Sequence, residues 1–106
     1  MAKSLLFVEG EPASADVLDD YHRWHNEVHI PEMLALDGFV GARRWQTDGD
    51  TFITLYEIDT DVETAKATLK AFFASGEMSK PVGVATDKPA VMRYLSLIHE
   101  AHDSAS

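Results

Sequence analysis

Two short runs at opposite ends of the chain limit its fold more than anything between them. Residues 4–9 (Ser-Leu-Leu-Phe-Val-Glu) and 90–98 (Ala-Val-Met-Arg-Tyr-Leu-Ser-Leu-Ile) both read as strands. Successive strand residues point to opposite faces, so Leu5 and Phe7 leave one way while Leu6 and Val8 leave the other. Val91, Met92, Tyr94, Leu95, Leu97 and Ile98 likewise put apolar groups on both sides. A sheet built on such strands needs cover on each face.

Cover for one face lies between them. The stretch from Asp20 to Leu34 (Asp-Tyr-His-Arg-Trp-His-Asn-Glu-Val-His-Ile-Pro-Glu-Met-Leu) reads as helix. At roughly 100° per residue Val17, Tyr21, Trp24 and Val28 form a stripe about 60° wide, which is expected to be the buried face. Asp19, Asp20, Arg23, Asn26 and Glu27 take the solvent arc, and Ser14 or Asp16 is placed to cap the start. Pro31 lacks the amide hydrogen, so a kink or restart is expected just after His29. Gly38 supplies a left-handed stop.

Residues 39–46 and 51–58 are strand-like, joined by Thr47-Asp-Gly-Asp50, whose Asp-Gly step signals a hairpin. Thr60-Asp-Val-Glu63 has the pattern of a capping box. Val62, Ala65, Leu69, Phe72 and Phe73 then recur at helical spacing, and Gly76 ends the run. Residues 77–89 carry two prolines and no periodicity, and read as an irregular loop; residues 99–106 read as a flexible tail.

The order is β-α-β-β-α-β in one domain of 106 residues. That is the α+β, ferredoxin-like arrangement: a four-stranded antiparallel sheet with two helices on one face. The sequence contains no third layer, so the second apolar face is expected to pack on another copy of the chain, as a homodimer.

Composition removes several classes of function. Nine basic against eighteen acidic residues give a net charge of −9, which repels nucleic acid and anionic membranes. There is no cysteine, hence no disulfide and no thiolate metal site. The apolar run near the start is too short for a signal peptide or a membrane span, and a cytoplasmic location is expected.

The chemistry concentrates on the first helix. Leu18, His22, His25 and His29 form a second stripe, centred roughly 100° from the buried one, on a shoulder that looks into any cleft beside the helix. Histidine takes and returns protons near neutrality. His29 is the candidate general acid or base and His25 its partner; His22, at the stripe's edge, reads as structural or substrate-binding. Tyr21 and Trp24 are packing residues whose polar tips need partners when buried. Tyr94, in the last strand, is a candidate third catalytic group through its hydroxyl. Arg43 and Arg44 are adjacent on a strand and point to opposite faces, so one is solvated and the other is free to hold an oxygen anion or carbonyl. A divalent metal on the i, i+4 pair His25/His29 is the sharper alternative, but nothing nominates a third ligand, and Glu27 points the wrong way for a metalloprotease helix.

Tyr21-His-Arg-Trp24, His29-Ile-Pro-Glu-Met-Leu-Ala-Leu36 and Gly38-Phe-Val-Gly-Ala-Arg-Arg-Trp45 together resemble the EthD-like group of dimeric α+β barrels. The match covers residues 21–45, with His29, Pro31, Gly38, Phe39, Arg43, Arg44 and Trp45 on the motif. Asp37 stands where the group usually has proline, and His25 where it usually has an acidic or small polar residue. The resemblance implies two ferredoxin-like protomers forming a barrel, each holding a small cavity between its sheet and helices. Relatives include polyketide cyclases, muconolactone isomerase, cofactor-free monooxygenases, haem enzymes and stress-responsive barrels. The reading is therefore a small enzyme without organic cofactor, acting by proton transfer on an aromatic, polyketide-like or lactone-type molecule as cyclase, isomerase, lyase or dehydratase. His22, Tyr21, Trp24, Arg43, Arg44 and Trp45 are expected around the substrate. A cofactor-free monooxygenase and a non-catalytic ligand-binding or stress-related barrel are the alternatives.

Overall fold

The structure, a computed structural model, describes residues 4–103. Strand β1 is Ser4–Gly10, and helix α1 (Leu18–Trp24) follows a short 3-10 turn at Ala15–Val17. A π-helical turn, His25–His29, joins α1 to α2 (Ile30–Leu34). Strands β2 (Phe39–Gln46) and β3 (Phe52–Ile58), helix α3 (Val62–Ser75) and strand β4 (Val91–Ser96) complete the order. All pairings are antiparallel, and the strands lie in the order β2-β3-β1-β4. This is the α+β ferredoxin-like fold read from the sequence. The tail's last residues, 104–106, lie outside the described residues.

The register places Ala42, Tyr56, Leu6 and Tyr94 in one row across the sheet, and Arg44, Thr54, Val8 and Met92 in the next. These rows face the helices. The core is built on them from Leu6, Met33, Phe39, Tyr56, Ile58, Ala65 and Leu69. On the reverse side the register brings together Leu5, Phe7, Ile53, Leu55, Trp45, Val91 and Leu95. Glu9, Arg43, Glu57 and Arg93 share this side and Trp45 is 52% exposed in the single chain, so the face is mixed, with an apolar middle left uncovered.

Three local expectations are corrected. Helix α3 is capped by Asp61, not by Thr60: the Asp61 carboxylate accepts from the Thr64 amide (2.9 Å) and hydroxyl (2.6 Å). The Asp-Gly step does not form a two-residue turn, and Gly49 keeps negative φ. The wider loop is closed by Thr47, whose amide and hydroxyl both donate to the Thr51 carbonyl at 3.1 Å. Val28, assigned to the buried stripe, is exposed, whereas Tyr21 and Trp24 are buried as expected.

The last correction has a definite cause. The Ile30 amide donates to the His25 carbonyl, a span of five residues. A π turn spends more residues per revolution than an α-helix, so the phase beyond Trp24 slips. His29 takes the place over Trp24 that regular geometry gives to Val28. The rings of Trp24 and His29 stack with centroids 4.6 Å apart and planes 12° from parallel. Pro31, which cannot donate to a regular helix, follows directly.

Candidate active site

A cavity of about 250 Å³ lies between the helices and the sheet. Its floor is Leu6, Val8, Thr54 and Tyr56, and one wall is Trp24, His25, His29 and Met33. Helix α3 contributes Leu69 and Phe73, and the loop after it closes the top with Met78, Pro81 and Val84. That loop is held to residues 11–13 by the Ala13 amide on the Gly83 carbonyl (2.7 Å) and the Ala85 amide on the Glu11 carbonyl (3.2 Å). Gly83, at φ 73°, is needed there: a Cβ would come within 3.2 Å of Tyr21. A hollow of about 330 Å³ by the β2–β3 loop is lined by Glu11, Gln46 and Asp50 among others and contains no histidine, and one of about 410 Å³ beside Leu5 and Leu95 holds the single histidine His99. The chemistry is gathered in the smaller space.

His25 Nδ1 lies 2.8 Å from the Tyr21 carbonyl oxygen. A carbonyl only accepts, so Nδ1 carries the hydrogen and Nε2 keeps the lone pair. Burial pushes the His25 pKa down to about 4, against the partial compensation of that backbone hydrogen bond. The ring is therefore neutral at physiological pH.

His29 Nδ1 lies 3.0 Å from Glu32 Oε1, and both side chains are largely buried. The carboxylate accepts again, so His29 also presents Nε2 as its basic nitrogen. Glu32 receives three further contacts from Ser79: the amide reaches both carboxylate oxygens at 3.2 Å and the hydroxyl donates to Oε2 at 2.9 Å. Burial alone would raise the Glu32 pKa, but the His29 and Ser79 hydrogen bonds outweigh it and hold it below the usual carboxylate value. A carboxylate that fixes an imidazole's tautomer and can stabilise its charged form is a standard element of proton-transfer sites.

Two more polar groups belong to this space. Burial pushes the Tyr56 hydroxyl well above its ordinary pKa, so it remains a neutral donor. Trp24 is 7% exposed and its buried Nε1–H has no acceptor among the described residues, a condition that costs about 1–3 kcal/mol when nothing pairs with the group.

The residues expected around a substrate separate into three places. Trp24, His25 and His29 line the cavity together. His22, Tyr21 and Arg44 form a cluster beside it. Arg44 Nη1 donates to His22 Nδ1 (2.9 Å) and Asn26 Oδ1 (3.1 Å), and its guanidinium lies 5.7 Å from the centre of the Tyr21 ring. Burial first, and the Arg44 charge second, hold the His22 pKa below its ordinary value. Arg43 and Trp45 are exposed, with Arg43 and Trp45 on the open sheet side of the register. Tyr94 shares the row of Tyr56 but lies outside the cavity, in a groove beneath Lys66.

Sequence reasoning missed Glu32, Thr54, Tyr56 and the roof residues. Glu32 carried a signal, three residues beyond His29 on the same helix. Thr54 and Tyr56 alternate with Ile53 and Leu55 and share a face, which the period of two shows. Met78, Pro81 and Val84 lie in a segment with no periodicity to read. Among the described residues no group of three or more His, Cys, Asp or Glu side chains could hold a metal ion, so His25 and His29 gain no third ligand. Among the described residues no helix is long and apolar enough to cross a membrane.

No protein-family model and no curated protein matches the chain by sequence. A solved structure matches in shape: a monooxygenase from the gene ActVA-Orf6 of Streptomyces coelicolor, determined in complex with the ligand nanaomycin D. The two share 12% identity and a TM-score of 0.62 over 97% of this chain and 94% of that one. At such identity the likeness establishes the ferredoxin-like α+β fold, and the EthD-like resemblance of residues 21–45 is supported to that level and no finer.

Proposed function

We propose that the chain is a small-molecule oxygenase that needs no organic cofactor and works by proton abstraction inside the histidine-lined cavity. The observation that carries this is the His29–Glu32 pair beside an apolar cavity of about 250 Å³. A polycyclic phenol with an activated methylene group suits such a space, flat against Trp24 and Leu69. His29 Nε2 removes a methylene proton, and Glu32 stabilises the imidazolium. Neutral His25 accepts a hydrogen bond from the phenol, while Tyr56 donates to a substrate oxygen atom.

The resulting carbanion gives its electrons to dioxygen, forming a C–O bond and a hydroperoxide. Loss of water then leaves a ketone: the methylene and O2 become a carbonyl and H2O. One oxygen atom is retained, the other leaves with both methylene hydrogens, and the substrate's carbon supplies all four electrons. Likeness of fold to a monooxygenase favours this outcome over cyclisation or isomerisation, which would use the same base.

The test is oxygen uptake with hydroxylated polycyclic substrates. One O2 should be consumed per product, and His29→Gln should lower kcat by about 10²–10⁴-fold with the fold intact. Conversion without oxygen uptake would replace the oxygenase by an isomerase or cyclase; full activity in His29→Gln would remove His29 from the chemistry.

The apolar sheet face is proposed to pair with a second copy of the chain. Leu5, Phe7, Ile53, Leu55 and Leu95 would be covered by their counterparts. Sedimentation should give a dimer at micromolar concentration; a stable monomer there would refute the pairing.

A further inference from the structure

A second, outer groove of about 230 Å³ is lined by Lys66, Leu69, Lys70, Phe73, Met92 and Tyr94. Three of these, Leu69, Phe73 and Met92, also line the inner cavity. The two spaces therefore adjoin through shared walls, between helix α3 and the edge strand β4. Phe73 and Met92 are 50% and 44% exposed, so both reach the surface at this junction. Residues 66, 69, 70 and 73 follow the spacing of one helical face, which places both lysines along the same side of the opening.

The charge at this opening runs against the rest of the molecule. The chain carries −9 overall, yet its groove is flanked by two cations. Lys66 Nζ lies 5.5 Å from the centre of the Tyr94 ring and 3.5 Å from Glu63 Oε2, a carboxylate that is itself well exposed. Lys70 makes no ion pair among the described residues. Inside, no lysine or arginine lines the cavity, His25 is kept neutral, and His29 is matched by the Glu32 carboxylate. An anionic group on a ligand would exchange its hydration in the cavity for neutral donors such as Tyr56, with the Glu32 carboxylate nearby. At the mouth it would keep water and gain two ammonium groups.

The geometry points to a bipartite ligand: a flat aromatic body held in the inner cavity, and an anionic group, a carboxylate or its equivalent, left at the mouth between Lys66 and Lys70. This rests on the reading of the cavity as a substrate site, and it narrows the substrate to acids. A neutral molecule of the same skeleton would fit the cavity but lose the outer contact. The lysines touch no reacting atom here; they set which molecules enter and which way round they lie, leaving the end remote from the anion beside His29.

A matched pair of fluorescent probes tests this without turnover: anilinonaphthalene sulfonate and its neutral parent, phenylnaphthylamine, which lacks only the sulfonate. Lys66→Gln and Lys70→Gln should each weaken the sulfonate about fivefold, the upper range for a single exposed charge pair. The neutral probe should change less than about twofold. Added salt should weaken the sulfonate alone. Arg23→Gln, which removes one positive charge on the outer side of the first helix, should leave the ratio of the two affinities unchanged.

Equal losses for both probes, no loss for either, or failure of the sulfonate to bind would overturn the inference. A probe lodged on the open sheet face would ignore both lysines, and so counts against it. Binding and oxygen uptake are separate readings. A chain that binds by these rules but consumes no oxygen loses the oxygenase and keeps the bipartite ligand. A chain that oxygenates neutral phenols and ignores the lysines does the reverse.

Discussion

The two helical layers on the sheet obey different rules. Helix α3 runs regularly for fourteen residues between an Asp61 cap and a left-handed Gly76, with Ala65 and Leu69 on its buried side. The first helix covers a similar length but changes hand-hold halfway, at His25–His29, where the hydrogen bonds lengthen to five residues. The regular helix supplies apolar wall and the edge of the mouth. The interrupted one supplies both cavity histidines. A uniform helix can present one stripe to the core, and a polar side chain in that stripe would lie among packed neighbours. A phase slip lets two stripes take turns: Tyr21 and Trp24 before it, His29 and Met33 after it.

The contrast is broken most severely by shortening each helix by one residue. Deleting Ala67 from α3 turns Leu69 and Phe72 roughly 100° away from the core, and the protein should fail to fold. Deleting Val28 removes a residue that the π turn has in surplus, and His29 then stands four residues beyond Trp24, still over the indole. The remaining cost is Pro31 meeting a regular helix, about 3 kcal/mol. Circular dichroism and chemical denaturation of the two deletions measure this directly, and equal damage would disprove the phase slip.

Point substitutions sharpen the same difference. Trp24→Ala should cost about 3–5 kcal/mol and Leu69→Ala about 2–5 kcal/mol, as both side chains are buried. Val28→Ala should change stability by no more than about 0.5 kcal/mol, the level of a surface position. A loss at Val28 comparable to that at Leu69 would restore the regular stripe.

The two layers should also differ in their response to acid. In the folded chain His25 titrates near 4, below its ordinary 6.5. Between those values the unfolded chain binds the proton and the folded chain does not, so stability falls as pH drops through that window and levels off beneath it. After discounting for partial exposure of the ring, the loss is on the order of 1–2 kcal/mol. His25→Gln should remove that portion of the slope, while His22, also depressed, remains in both proteins. Identical slopes would show the His25 ring to be accessible to protons. Smallest of all, Asp61→Ala should lower stability slightly through loss of the N-cap; no change would mean the cap is not formed in solution.

Most of the fold could be read in the chain because its elements are short and their periods distinct. Residues 39–46 and the stops at Gly38 and Gly76 agree with the structure to the residue. The site was legible in part. His25 and His29 were found from their shared stripe, yet Val28 was misplaced by carrying 100° per residue across a turn that does not obey it. Tyr94 was assigned to a cavity on the strength of its strand. The sheet face was right, but Leu69, Phe73 and Met92 stand between Tyr94 and the inner space. Tyr56, on the same row two strands away, lies under it. Glu32 drew no notice because an acid on a helix surface is ordinary, and only the approach of Ser79 from 47 residues away makes it a buried one.

That approach has a consequence for timing. Ser79 belongs to the roof of the cavity, and its amide and hydroxyl supply most of the hydrogen bonds that hold Glu32 ionised. A lifted roof would take these hydrogen bonds from the carboxylate and return water to it, two changes that move its proton affinity in opposite directions. Reciprocity couples the two: whatever factor the roof's position applies to proton binding on Glu32, the proton applies to the roof's position. Admission of a ligand and the charge behind the imidazole are thus tied through Ser79 and Glu32, so the door and the base are parts of one equilibrium.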